Sequence, residues 1–525
     1  MHGARKADVS EREQVSRWDH HYQCVVVGSG HAGSCAALSA IDSGCRRVLM
    51  IDKCPKEWVG GNGYFTAGAM RCAHEGLEDL LGVLGNPISE EERKSIDLDM
   101  YTKEMFEGDI QRLSDGRSDD GLVKELVDQS RDVVGWLSKR IGVPFVLSTN
   151  RQAYEVNGRQ KFWGGMALSV NHGGKGLIEA HQKALKDAGV DLWFDTKAIK
   201  LMMHNGEICG IEVDQMGSYI NIRSPAVVLA CGGYEASPDM RAKYLGSGWQ
   251  QARVRGTPFN TGDGFVLAAA VGAQTTGDWE GCHSTCWDAE AGLNAGEREL
   301  TNQYTKSGYP LGLMINFRGL RFVDEGEDYR NFTYAKFGKA ILAQPGGAAF
   351  QLWDAKMLDY LRKEEYGDEI VTKKWAQTLE EMVGELEDWG LENKGQFLST
   401  LRAYNQAVQG NQIQQWNPAI KDGLSTNRKV LRIPKSNWAL PVDTAPFMAV
   451  KVACGITFTF GGLAIDPKTT GVLAHTGNVI PGLFCAGEMV GGLFYGNYPG
   501  GSGLTAGAVF GRKAGVCVGQ RVLHS

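Results

Sequence analysis

An apolar stretch, residues 22–27, runs straight into Gly28-Ser29-Gly30-His31-Ala32-Gly33, and a second apolar stretch, residues 47–51, is closed by Asp52. Strand, glycines, helix, strand and acid in this register predict a βαβ unit built to hold a dinucleotide. Gly28 permits the tight turn and Gly30 lets the backbone approach a pyrophosphate. Gly33 brings the helix of residues 34–41 close to the sheet, with its N-terminal N–H groups facing the phosphates. Asp52 is then placed to take the ribose hydroxyls. Few other local patterns constrain a chain so strongly, because each glycine answers a separate steric demand.

Size and composition fit a large enzyme of two or three domains: 525 residues, 43% of them hydrophobic, and 69 glycines. A formal net charge of −6, with basic residues spread along the chain, points away from nucleic acid. No run approaches the ~18 apolar residues of a membrane span. Residues 1–19 are polar, mixed in charge and without an apolar core, so they read as a flexible leader rather than a signal peptide. Twelve cysteines lie scattered without a disulfide rhythm, several of them, such as Cys24, Cys231 and Cys485, in apolar runs. Free cysteines in such places behave as small hydrophobes, and a reducing cytoplasm fits them best.

Along the chain, helical periodicity appears at residues 122–141 and 176–188, followed by short strands at 190–194, 198–203, 208–213 and 226–231. The last strand ends in Cys231-Gly232-Gly233, where glycine again suits close approach to a cofactor. From about residue 278 to 457 the composition becomes richer in Trp, Tyr and Glu, with a helix-like stretch at 375–389. Beyond 459 the Gly-rich turns and strands return, and a helix is predicted from 503 to about 522. The organisation is therefore an α/β dinucleotide domain, residues 20–277 and 458–525, interrupted by a capping domain at 278–457.

Four separated motifs carry a more specific signal. They are Glu57-Trp58-Val59-Gly60-Gly61-Asn62, residues 254–264 (Val-Arg-Gly-Thr-Pro-Phe-Asn-Thr-Gly-Asp-Gly), Arg321-Phe322-Val323-Asp324-Glu325-Gly326, and Gly487-Glu488-Met489-Val490-Gly491-Gly492 with Tyr498-Pro499-Gly500-Gly501. In this order they resemble the flavoprotein subunits of the fumarate reductase and succinate dehydrogenase superfamily, and within it the tricarballylate dehydrogenases. The resemblance covers nearly everything after residue 20. It implies a Rossmann-like FAD-binding domain with an inserted α+β capping domain, the active site lying between them.

The resemblance also implies that the dinucleotide is FAD. Gly28, Gly30, Gly33 and Asp52 would hold its adenosine and pyrophosphate half, and Gly60, Gly61 and Asn62 would lie along the flavin. Gly174 and Lys175 would add phosphate contacts, Glu488 would meet the ribityl chain, and Gly232 and Asp263 complete the cofactor set. Ser502-Gly503-Leu504 would begin a helix whose N-terminus faces the flavin pyrimidine and favours the anionic reduced form. Relatives that attach FAD covalently carry a histidine where this chain has Asn62, so noncovalent FAD is expected.

Members of this superfamily add or remove two hydrogens across a carbon–carbon bond next to a carboxylate, which requires cations to grip the acid and one group to move a proton. By resemblance Arg330 is the proton carrier, with a salt bridge to Glu327 or Asp328 as its alternative reading. An arginine normally stays protonated, so that role needs nearby charge and a dry site. His283 matches a histidine that binds a substrate carboxylate, although a lone histidine is more often structural. Cys282, His283 and Cys286 are too crowded for a zinc site, and no metal is expected.

Two carboxylate clamps of the fumarate reductases are replaced, by Phe458 and by Tyr498, which joins Arg330 and His283 in the candidate catalytic set. The Glu-x-x-Arg proton relay upstream of Asn316 is missing; Thr305-Lys306-Ser307-Gly308-Tyr309-Pro310 stands there instead. Lys306, Arg71 and Arg255 could supply other cations, or could be surface or structural charges. Neither a Cys-x-x-Cys-His haem site nor cysteine spacing for iron–sulfur ligation is present, so electrons would pass to a separate partner or to oxygen. The leading expectation is dehydrogenation of a saturated polycarboxylate, tricarballylate to cis-aconitate. Its competitors are an ene-reductase of an α,β-unsaturated acid or ketone, and a flavin-bound subunit active only with a partner.

Overall fold

The computed structural model describes residues 18–292, 298–426 and 431–523, so the expected leader, apart from its last two residues, lies outside the described residues. Strand β1 (Cys24–Val27), helix α1 (His31–Asp42) and strand β2 (Val48–Ile51) form the predicted opening unit. Every residue of both strands is buried, as an unbroken apolar run covered on both faces requires. Helix α2 (Asp120–Trp136) is capped by the Asp119 side chain, and α3 (Gly173–Asp187) packs on α1. Strand β3 (Asp191–Trp193) extends the sheet; β4 (Thr196–His204), β5 (Glu207–Gln215) and β6 (Ser218–Arg223) form an antiparallel meander; β7 (Val227–Leu229) returns to the parallel sheet.

The second unit is built on β8 (Thr275–Asp288), β9 (Leu313–Asn316), α4 (Arg330–Leu342), β10 (Ala348–Trp353), β11 (Lys374–Ala376), α5 (Leu379–Glu387) and α6 (Lys394–Ala407). The chain then runs back through the 17-residue β12 (Phe447–Leu463), followed by β13 (Gly471–Leu473), β14 (Val479–Cys485) and the closing helix α7 (Ser502–Leu523). β12 pairs with β8, β10 and β11, and β10 with β9. Positions 277–278 and 457–458 fall inside β8 and β12. A continuous strand pair, not a linker, therefore joins the dinucleotide unit to the cap.

In the parallel sheet the order is β13-β14-β7-β1-β2-β3, with only β13 antiparallel. The chain leaves β1 for β2 on one side and lays β7 on the other, which makes the C-terminal ends of β1 and β7 the switch point where such sheets bind ligands. Gly28 and Gly232 follow those two strands, both with left-handed φ (+108° and +72°). A Cβ on Gly28 would stand 2.3 Å from the Ala230 carbonyl oxygen, so the two turns approach each other too closely for any side chain.

Helix α7 lies along α1 through a row of small residues. Added Cβ atoms on Gly511 and Gly515 would fall 2.4 Å from the carbonyls of Ala32 and Ala36, and Gly519 meets Ser43. Contacts advance in the same direction on both helices, so they run parallel and their positive N-terminal ends point to the same place.

One predicted helix differs. Residues 375–389 divide into strand β11, in which Trp375 pairs with Met448, and α5, which starts only at Leu379. Thr378 sets that start through a reciprocal capping box with Glu381 (3.1 and 3.2 Å), and the aromatic periodicity that precedes it belongs to an edge strand. Among the described residues no helix is long and apolar enough to cross a membrane.

Candidate active site

At the N-termini of α1 and α7 a cleft opens around about 2130 Å³ of unfilled space, including its solvent-open mouth, and runs from the switch point into the cap. At the switch-point end Gly28, Gly30, Asp52, Gly232 and Asp263 line it. Asp52 accepts hydrogen bonds from Ser29 N (2.8 Å), Ser29 Oγ (2.7 Å) and Cys54 N (3.0 Å), which fixes its carboxylate at the end of β2. Burial would raise Asp263, but hydrogen bonds from Lys53 and Thr261 hold it well below the usual carboxylate range. The glycines divide their work. Gly33 would collide with the Gly28 carbonyl if it had a Cβ (2.1 Å), whereas a Cβ on Gly30 would meet only the Gly60 oxygen, at 3.6 Å. No protein atom forbids a side chain at Gly30, and the space beside it opens into the cleft.

Midway along, Asn62 donates to Glu235 Oε1 and to the Thr457 carbonyl (both 2.6 Å) and accepts from Thr257 N (3.0 Å). Asn260 Nδ2 bridges Glu235 (2.6 Å) and Glu488 (3.4 Å), and Thr459 N donates to Glu488 (2.8 Å). Burial raises Glu235; burial and the neighbouring Glu235 push Glu488 well above the carboxylate range. Two carboxyls that share Asn260 oppose each other's ionisation, which favours a proton on the pair. Gly61, Gly503 and Leu504 also line this part, and His31 Nε2 meets the Leu504 carbonyl at 3.0 Å.

Gly174 and Lys175, expected to add phosphate contacts, stand outside the cleft. Gly174 lies against the backbone of Gly63 and Tyr64, and Lys175 is half exposed and paired with Glu299 (3.4 Å). Gly60 and Ser502 also fall just off the lining: Gly60 turns with φ +108° against Ile178, and the Ser502 hydroxyl donates to the Pro499 carbonyl (2.7 Å).

The far end is formed by the cap. The alternative salt bridge of Arg330 is not made, because Asp328 pairs with Arg112 (2.7 Å) and Lys421 (3.4 Å) and Glu327 with Lys336 (2.6 Å). Arg330 instead donates to Ser307 Oγ (3.1 Å) and to the Arg151 carbonyl, with its guanidinium 5.0 Å from the Trp163 ring centre. Arg255 reaches Thr305 Oγ1, Thr457 Oγ1 and Asn302 Oδ1, each at 3.2 Å. Residues 305 and 307 face the cleft while Lys306 points away, donating to the Gln303 carbonyl (2.6 Å) beside Asp288. Burial pushes Lys306 down to about 8, and its role is structural. Arg71 is likewise fully buried, bonded to the carbonyls of Gly500 (2.8 Å) and Gly164 (2.9 Å), and does not line the cleft.

Of the cations that line the cleft, Lys53 and Lys197 pair with Asp263, and Arg151 and Arg362 with Glu365. Arg255 and Arg330 are left with neutral partners only, among the described residues. A buried carboxylate stands beside the segment of residues 305–310: Glu365 accepts from Ser307 N (2.9 Å) and Oγ (2.5 Å) and from Arg362 Nη1 (3.2 Å). Nothing in the run Leu361-Arg362-Lys363-Glu364-Glu365 marks it as buried, since charged residues in a row read as a solvated surface.

His283 sits on β8 directly opposite Phe458 on β12, beside a bulge in which residues 279–281 have no partner. Its Nδ1 is 3.3 Å from the Tyr498 hydroxyl, which is 2.6 Å from the Tyr334 hydroxyl, and its Nε2 is buried without a partner. Burial, reinforced by Arg255, holds His283 well below its ordinary value, so the ring is neutral. Cys282 and Cys286, one on each side of it, are buried in apolar clusters.

A βαβ switch point, two helix N-termini aimed at one cleft and a cap that closes its far end define a flavoprotein of the Rossmann-like class. The chain belongs to the FAD binding domain family, whose model matches residues 23–504, and it is an FAD-dependent oxidoreductase. It is 28% identical over 501 residues to the probable fumarate reductase Ifc3 of Shewanella frigidimarina (94% of this chain, 74% of the relative). Urocanate reductase of Eggerthella lenta is 26% identical over 511 residues (94% and 73%). The open conformation of a flavocytochrome c3 fumarate reductase superposes with a TM-score of 0.69 at 26% identity, covering 96% of this chain and 79% of that one. The residues fit FAD: Gly30 leaves the space of a missing side chain open, and α1 has no side-chain cap competing for its first N–H groups.

Proposed function

We propose that this enzyme is an ene-reductase that adds two hydrogens across the carbon–carbon double bond of an α,β-unsaturated acid. The observation that carries the reading is the pair of buried guanidiniums, Arg255 and Arg330, which among the described residues have no anionic partner within ion-pair distance, in a cleft whose other Lys and Arg side chains each have one. Burying an unpaired charge is costly, and a substrate carboxylate would relieve it. The named activities of the relatives, reduction of fumarate and of urocanate, also support reduction over tricarballylate oxidation, the leading expectation from sequence.

Bound without covalent attachment beside Asn62, FAD would supply or accept the hydride. Arg255 holds the carboxylate, and Arg330 delivers the proton to the carbon next to it. Ser307 and Glu365 keep the Arg330 guanidinium oriented and connect it to Arg362 and Arg151, from which its proton can be replaced. Arg151 is suited to that exchange, since burial and the neighbouring Arg330 lower it to about 10, although Glu365 opposes the shift. His283, neutral, offers a hydrogen bond rather than a charge. Electrons come from a separate donor, and the scattered unpaired cysteines support a reducing compartment such as the cytoplasm.

Anaerobic mixing of chemically reduced enzyme with a panel of acids tests the reading. Unsaturated acids should restore the oxidised flavin spectrum. If none does, while tricarballylate or another saturated acid bleaches the oxidised enzyme, the physiological direction is dehydrogenation and the proposal fails.

A further inference from the structure

Beyond the guanidinium pair, six ring-bearing side chains that line the cleft touch one another: His283, Tyr334, Phe458, Phe460, Phe494 and Tyr498. Their rings form one connected cluster. Phe458 stands edge-on to His283 (5.4 Å between centres, 86°) and to Tyr498 (5.1 Å, 83°), and Phe494 lies 5.3 Å from Tyr498. None of the six carries a charge. Burial raises both tyrosines, Tyr498 well above its ordinary value, and depresses His283. A second carboxylate at this end would be buried against neutral rings and would compete with the first for Arg255, the cleft-lining cation that acts on His283, Tyr334 and Tyr498. A planar aromatic group would find what it packs against best, ring edges and faces at 4.5–7 Å centre spacing.

The polar side of the cluster is a chain of three groups. Tyr334 meets Tyr498, Tyr498 meets His283 Nδ1, and the chain ends at His283, a cleft-lining residue whose Nε2 is buried and unpartnered. In the tautomer in which Nδ1 accepts from Tyr498, Nε2 would carry the hydrogen and offer one neutral donor. The cluster thus provides an apolar slot with a single hydrogen bond.

Resting on the reading that the enzyme reduces an unsaturated acid, we infer that its substrate is a 3-aryl-acrylic acid, the carboxylate held by Arg255 and Arg330 and the aryl group seated among Phe458, Phe494 and Tyr498. One hydrogen-bond acceptor on or beside the aryl group meets His283 Nε2. The double bond lies between the two anchors, and reduction gives the 3-arylpropanoate: hydride to one carbon, a proton to the other, and two electrons from the donor that reduced the flavin.

Reduced holoenzyme mixed anaerobically with cinnamate, acrylate and fumarate tests this. Cinnamate should reoxidise the flavin with a second-order rate constant at least about tenfold above those of acrylate and fumarate, the return on burying one ring in an apolar slot. Phe458→Ala should cut the ratio of cinnamate to acrylate about fivefold or more while the flavin spectrum persists. Reoxidation by fumarate or acrylate as fast as by cinnamate, or a ratio unmoved in Phe458→Ala, overturns the aryl assignment and leaves the reductase reading standing. Failure of all three acids overturns the reductase reading itself.

Discussion

Arg255 and Arg330 hydrogen-bond alternate residues of one extended segment, Thr305 and Ser307, and so present two guanidiniums to the same side of the cleft. Alternate residues of an extended chain stand about 7 Å apart, a spacing that lets both side chains converge on one carboxylate. Their other partners differ. Arg255 bonds to neutral oxygens, while Arg330 connects through Ser307 to the buried Glu365, and under the proposed function that asymmetry would separate a binding role from a proton-carrying one.

Arg330→Ala should therefore keep the fold and bind FAD but lose about 10²- to 10⁴-fold in turnover, the range of a correctly placed acid or base. Arg330→Lys should recover little, since an ammonium cannot meet Ser307 and the Arg151 carbonyl with one planar fork. Rapid-mixing reoxidation of the reduced variants reads this directly; near-native rates in Arg330→Ala would move the proton to another group. Tyr309, Tyr329 and Lys306, neighbouring side chains that could otherwise carry a proton, do not line the cleft.

For Arg255→Met the expected loss is in binding. Removing one charged hydrogen-bonded partner from a carboxylate costs on the order of 2–5 kcal/mol, which should appear as a raised KM with a smaller change in kcat. An equal fall in kcat and kcat/KM would place Arg255 in the chemical step.

Much of the fold was legible because its demands are local. The opening βαβ unit, the return strand ending at Gly232 and the closing helix each carry their own signals in apolar runs and obligatory glycines. At the site, Arg330, His283, Phe458 and Tyr498 were legible only through resemblance, and Glu365, Arg151 and Tyr334 not at all. Their roles arise from juxtaposition: Glu365 becomes buried only when its short helix folds over Ser307, more than fifty residues away in sequence. The misread helix at 375–389 has the same origin, a capping box that decides the boundary where periodicity could not.

Glycine substitutions should separate ligand space from protein space. Gly30→Leu should fold and yet retain no FAD, because its side chain enters only the cleft. Gly33→Ala and Gly28→Ala should destabilise the apoprotein itself by roughly 1–3 kcal/mol, since the new Cβ meets backbone carbonyls. Acid precipitation of the native yellow protein should release FAD to the supernatant; flavin left in the pellet would contradict noncovalent attachment at Asn62.

Glu488 and Glu235 make stability depend on pH in a specific sense. A carboxyl whose folded value lies above its unfolded one, about 4.3 for Glu, keeps a proton that the unfolded chain has released. The folded state then binds more protons, and stability falls as pH rises from about 4.3 towards the folded value, by at most about 1.4 kcal/mol per pH unit for one such group. Glu488→Gln removes that titration while keeping the shape and an acceptor for Thr459 N. Melted with saturating FAD, it should match the native protein near pH 4 and gain on it as pH rises from about 4.3 towards the folded value. A difference that stays constant with pH, or reverses, would show that the pair holds no proton in the folded enzyme.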